Sequence, residues 1–138
     1  MRRCLAPMFV LCSFLALPVS VFAADLPPLW PVEQKLLDFT NAQRTYYGLE
    51  PLALDESLLK SARTHCFWMA SARNLQHTSS PVAENIVMGQ RTTREAVNSW
   101  MTSPGHRANM LSGSYRRLGM AAYETHDGVI YWCLQFLP

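Results

Sequence analysis

The sequence predicts an α+β fold: a three-layer α-β-α sandwich around a small, mainly antiparallel sheet. Three observations carry the prediction. Apolar residues recur every three or four positions in several stretches between Val32 and Leu111, which is helical spacing. Past Gly113 the pattern changes to strand-like runs, and Thr125-His126-Asp127-Gly128 sets a hairpin turn with an Asp-Gly pair between them. The last run, Val129 to Phe136, has Ile130, Trp132, Leu134 and Phe136 on one face and Tyr131 and Cys133 on the other. A strand apolar on both faces needs cover on both, so helices are expected above and below the sheet.

The chain of 138 residues suffices for one domain and hardly for two. Residues 1–23 are excluded from that domain. Arg2 and Arg3 precede an apolar run from Met8 to Phe22, and Val21-Phe22-Ala23 offers small residues at signal-peptidase positions. The reading is a secretory signal peptide cut near Ala23, with no stable membrane anchor afterwards and delivery to the periplasm or exterior. Leu11 stands before Cys12 where a lipoprotein signal needs a small residue. Removing this segment takes two of the twelve basic residues and no acid, leaving ten against ten. A neutral domain with no basic stripe is not built for nucleic acid.

Residues 24–31 carry three prolines and Trp30, an extended lead-in to a single domain over 32–138. The first helix runs from Val32 to about Tyr46, with Val32, Leu36, Phe39, Gln43 and Tyr46 as its stripe, Leu37 widening it, and Gly48 as the stop. Asn41 and Arg44 lie on its other face. Leu49 to Leu54 reads as an extended link. Asp55 caps a second helix whose apolar face is Leu58, Leu59, Ala62, Cys66 and Met69. His65 beside that face reads as a packed or half-exposed residue rather than a ligand, and Trp68 covers either a sheet edge or a cleft. Residues 76–90 lack helical periodicity, although Ala83 to Met88 fits a short strand. Thr92 and Glu95 form a capping-box pattern before Ala96, Val97, Trp100 and Met101. A short fourth helix follows at about His106 to Leu111, and Leu118 to Tyr123 and Val129 to Phe136 are the closing strands.

The chemistry centres on Ser99 to Met110, SWMTSPGHRANM. Ser103 fits an N-cap and Pro104 the first helical position, so His106 sits near the positive end of a helix. Such a place disfavours imidazolium and keeps a ring nitrogen available for a metal or a proton. His77 in LQHTSS and Glu84 in AENI lie in turn-prone sequence, and the three are expected to converge on one open cleft with Ser103 at its side. Asn85 and Arg44 are read as structural. Cys66 and Cys133 remain after signal removal in a chain sent to an oxidising compartment, and one disulfide between them is expected. No Gly-x-Ser-x-Gly elbow and no phosphate-cradling glycine loop appears.

The succession NAQR, GLEPLALDESL, LQHTSS, AENIVMGQ, AVNSWMTSPGHRANML, LGMAAY and VIYWCLQF resembles the CAP superfamily, which takes in cysteine-rich secretory proteins, venom allergens and plant pathogenesis-related proteins. It is most similar to the bacterial secreted SCP-domain branch. The resemblance implies an α-β-α sandwich and a cleft that, in many members, holds two histidines and two glutamates, the histidines binding zinc in some. By motif these positions are His77, Glu84 and His106. Ser103 stands where eukaryotic members place the second glutamate, and Ala83 where glycine is usual.

Three function classes follow. The first is a binding module for a lipid, cell-wall or protein ligand, in which a weakly bound divalent metal such as zinc on His77 and His106 is an optional aid. The second is a metal-assisted hydrolase acting on peptide or cell wall, with Glu84 as the candidate catalytic group activating water. The third is a structural interaction domain. Binding is favoured over catalysis because the missing second glutamate leaves an acid/base role empty.

Overall fold

The structure, a computed structural model, describes residues 28–138. The expected signal peptide, Cys4, Cys12 and residues 24–27 of the lead-in lie outside the described residues. In chain order the elements are α1 (Pro31–Tyr46), β1 (Ala53–Leu54), α2 (Glu56–Ala72), β2 (Ala83–Met88), α3 (Thr93–Thr102), α4 (Pro104–Met110), β3 (Arg117–Glu124) and β4 (Ile130–Leu137). The four strands form one sheet in the order β1-β3-β4-β2. The β3–β4 hairpin turns at Thr125–Gly128 with Gly128 at φ 82°, and β2 pairs antiparallel with β4. β1 pairs parallel with β3 through Ala53–Arg117 and Leu54–Leu118. That two-residue strand is too short to show a period, which is why the sequence read it as a link.

Alternation along the strands sorts the core into two layers. Leu118, Met120, Trp132, Leu134 and Phe136 pack with Leu36 of α1, Ala96, Val97 and Trp100 of α3, and Met110 of α4. The opposite face, with Ile86, Ala121, Tyr131 and Cys133, packs on Ala62, Cys66, Met69 and Ala70 of α2. The α-β-α sandwich is therefore present with both faces of β4 covered. Gly119 lets α2 come close: a Cβ there would lie 2.1 Å from the Leu58 carbonyl carbon.

α1 differs from its expected orientation. Its buried residues are Glu33, Leu36, Thr40 and Arg44, whereas Tyr46 is 79% exposed. The apolar stripe is displaced because two buried charges are satisfied from across the chain. Arg44 donates to the carbonyls of Glu50, Met110, Ser112 and Tyr115, tying α1 to the segment after α4. The Glu33 carboxylate accepts two 2.7 Å hydrogen bonds from Arg63 of α2 and also takes the Trp30 N–H. α1 also begins one residue earlier than expected, with Pro31 in its first turn.

α2 starts at Asp55, whose side chain accepts the Leu58 N–H, and stops at Arg73 in the left-handed region. At α3, Thr92 accepts the Glu95 N–H, while Glu95 reaches Arg91 rather than the Thr92 N–H of a reciprocal capping box. α4 begins at Pro104, two residues earlier than expected.

Candidate ligand cleft

The cleft forms where α2 ends and the edge strand β2 begins. The turn after Arg73 carries the chain through residues 74–82, placing His77 beside β2. Successive strand residues face opposite layers, so Glu84 faces α2 and Asn85 faces α3 and α4. Glu84 lies opposite Gln135 in the β2–β4 register, and their side chains meet on the α2 side.

Glu84 is buried, with 7% exposure, and both its oxygens are engaged. Oε1 accepts hydrogen bonds from Nδ1 of His77 at 2.9 Å and from the Thr78 N–H at 3.0 Å. Oε2 accepts from Nε2 of Gln135 at 2.9 Å, with the Cys133 thiol at 3.6 Å and Nε2 of His65 at 3.7 Å. Burial pushes the carboxyl pKa up, but the hydrogen bonds from Gln135, Thr78 and His77, with the charge of His65, outweigh it and hold the group below its ordinary value. The ionised carboxylate only accepts, so His77 carries its proton on Nδ1 and presents Nε2 outward from a ring whose side chain is 60% exposed.

His65 packs into this cluster, its side chain only 11% exposed. Its Nε2 donates to the Gln76 carbonyl at 2.8 Å, and its ring stacks on Trp68 with centroids 5.7 Å apart and planes 13° from parallel. His65, Trp68, Gln76, His77, Thr78 and Ser79 line a cavity of about 410 Å³. Gln135 and His65 are the members that sequence reasoning missed. A glutamine in the otherwise apolar VIYWCLQF run was one available signal, and the three-residue spacing of His65 and Trp68 on one helix was another.

His106 and Ser103 fall outside that lining. The His106 carbonyl accepts from Asn85, which is bonded in turn to Asn109, so Asn85 sits in a structural network as expected. The imidazole is made harder to protonate, as the sequence suggests, but chiefly by burial and then by the charge of His77, rather than by the short helix that carries it. His106 is thus near enough to His77 to feel its charge without joining the cavity lining. Ser103 contributes its carbonyl to the Arg107 N–H, and its side chain makes no capping hydrogen bond.

The expected Cys66–Cys133 disulfide is not formed: both residues are free, buried thiols in the α2 layer. Cys66 donates to the Tyr131 carbonyl at 3.1 Å, and Cys133 faces Glu84. Sequence economy pointed to a bond, whereas each sulfur here has its own acceptor. Burial pushes the Cys66 pKa up to about 12 and that of Cys133 well above its ordinary value, with Glu84 adding to the second.

The donor set also bears on the implied zinc. Among the described residues there is no group of three or more His, Cys, Asp or Glu side chains that could hold a metal ion. The Glu84 oxygens are occupied by protein donors, so the carboxylate adds no free ligand to the imidazoles of His77 and His106. That set does not amount to a resident metal centre.

Comparison with known proteins places this geometry. The profile of the cysteine-rich secretory protein family, CAP, matches residues 37–136. The Bacillus subtilis (strain 168) protein YkwD is 37% identical over 122 residues, covering 76% of this chain and 46% of that protein. The B. subtilis membrane protein YlbC is 27% identical over 120 residues, covering 72% of this chain and 35% of that protein. The chain thus spans less than half the length of these relatives. Among solved structures, an outer surface protein from Borrelia burgdorferi superposes with a TM-score of 0.69 at 19% identity, covering 75% of this chain and 89% of that one. An extracellular SCP-domain protein from Bacillus anthracis str. Ames gives 0.64 at 23% identity, covering 79% and 44%. With the family profile matched across most of its length and the sandwich shared with SCP-domain structures, the chain belongs to the CAP family of cysteine-rich secretory proteins.

Proposed function

We propose that this CAP domain is an exported binding module and not a hydrolase. The observation that carries the reading is the state of Glu84. A general base needs a lone pair directed at water, and both oxygens of Glu84 already accept from His77, Thr78 and Gln135. The carboxylate fixes the cleft wall, while Nε2 of His77 and the Trp68 ring face outward for a ligand. Export rests on the signal-like residues 1–23 and on the extracellular SCP-domain neighbour. Among the described residues no helix is long and apolar enough to cross a membrane.

The test is to incubate the purified protein with phospholipids, peptides and peptidoglycan fragments, following retention and, by mass spectrometry, products. Saturable retention without new products is expected. Turnover that disappears in Glu84→Gln while the fold persists would establish the hydrolase instead.

A second groove favours a lipid as one such ligand. It has a volume of about 760 Å³ between α1, the start of α3 and the β3–β4 hairpin. Val32, Phe39, Ala122, Ile130 and Trp132 supply its apolar surface, and Lys35, Arg91 and Arg94 line it too, with the Arg94 guanidinium 4.8 Å above the Phe39 ring centroid. An apolar trough with cationic groups suits an amphiphile with an anionic head. Displacement of a fluorescent fatty acid, weakened in the Arg91→Ala/Arg94→Ala protein, tests this reading.

A further inference from the structure

We propose that Trp68 is the stacking platform of a saccharide subsite, taking one pyranose ring of an uncharged oligosaccharide. The proposal rests on the binding-module reading above and names a ligand class for the cleft.

Trp68 is 42% exposed on α2, and its indole lies nearly parallel to the His65 ring. His65 is fixed in turn by the Gln76 carbonyl and stands beside Glu84, so the platform is braced from the sheet outward. Concavities lie along it, one of about 410 Å³ and one of about 430 Å³, sharing His65, Trp68 and Thr78 in their linings. Volumes of this size fall in the small-ligand range of about 300–1,000 Å³.

The surrounding side chains identify the chemistry. Ser61, Thr64, Gln76, Thr78, Ser79 and Ser80 present hydroxyls and an amide, groups that both donate and accept. Nε2 of His77 and the hydroxyls of Ser61 and Ser79 make no hydrogen bond among the described residues, leaving them available to a ligand. Lys60, the lysine of this lining, is paired with Glu56, and Glu84 is enclosed by donors. Little net field remains to hold a phosphate, sulfate or carboxylate. A pyranose ring matches this arrangement: its C–H face is apolar and weakly positive toward an aromatic π-face, while its edge carries hydroxyls. A fatty acyl chain would leave these polar groups unpaired, a cost that a sugar avoids.

The experiment is an NMR titration of the ¹⁵N-labelled protein with chitotetraose and cellotetraose, and separately with an anionic heparin tetrasaccharide. A neutral sugar is expected to move the Trp68 indole N–H saturably and leave the buried Trp132 indole in place. Trp68→Ala should weaken binding about tenfold or more, and Trp68→Phe less, because part of the π-face remains. Matched melting curves will show that the exposed substitution leaves the fold intact. Unchanged affinity in Trp68→Ala overturns the platform, and so does a preference for the heparin fragment. No shift with either neutral sugar at millimolar concentration, alongside retained lipid or peptide binding, overturns the saccharide proposal but keeps the binding module. Cleavage of a sugar whose binding still depends on Trp68 supports the platform and overturns the non-catalytic reading.

Discussion

Glu84 stays charged in the interior because each oxygen is met by donors, and this makes it a sensor of acid. Its carboxyl is held low against burial by Gln135, Thr78 and His77, so the folded state binds its proton later than the unfolded chain. Its contribution to stability is complete above the unfolded value of about 4.3 and is lost as pH falls through the lower folded value. His106 has the same sign at a higher pH. Burial and His77 depress its folded pKa, so its contribution is complete above about 6.5 and declines as pH falls toward that depressed value. Urea midpoints followed from neutral to acidic pH should therefore show losses in both windows, and His106→Gln should remove the upper one. An upper window unchanged in that variant would contradict the assignment. At the same scale, Cys66 and Cys133 are expected to resist thiol reagents in the native protein and to react as two free thiols once it is unfolded without reductant. Failure of the unfolded chain to react would mean that the pair is joined.

Among the elements, α2 carries the most consequence, because it covers one face of the sheet and supplies His65 and Trp68 to the cleft. Its close approach depends on Gly119, where a Cβ would lie 2.1 Å from the Leu58 carbonyl carbon and 2.4 Å from its oxygen. Backbone atoms cannot swing away as a side-chain tip does. Gly119→Ala should cost at least about 1–3 kcal/mol by chemical denaturation. It should also disturb the cleft, since Gly119, Gln135 and Glu84 lie in register across β3, β4 and β2. A variant as stable as the parent would show that α2 can move off the sheet without loss. On the other face, Arg44 joins α1 to the carbonyls of Met110, Ser112 and Tyr115, fixing the end of α4, the helix that carries His106, and the stretch after it.

For the molecule as a whole, His77 and His106 both lie outside the two core clusters. With no free carboxylate ligand beside them, zinc affinity is expected to be weak and to vanish in the His77→Ala/His106→Ala protein with the fold retained. Calorimetry showing unchanged affinity in the double variant would remove the imidazoles from any metal role. The sequence by itself determined the helices, the hairpin and the two-sided cover of β4, because periodicity, caps and an Asp-Gly turn are local signals. Its expectation that His77, Glu84 and His106 share one cleft rested on motif order; in the fold His77 meets Glu84 while His106 stays outside the cavity lining. Tertiary structure alone decided what those signals do not encode. The short parallel β1 has no period of its own, the buried face of α1 is turned by Arg44 and Glu33 finding distant partners, and each cysteine points to a separate acceptor. His65 and Gln135 reach Glu84 only because α2 and β4 converge on one edge strand, and a contact between residues up to 51 positions apart is a property of packing.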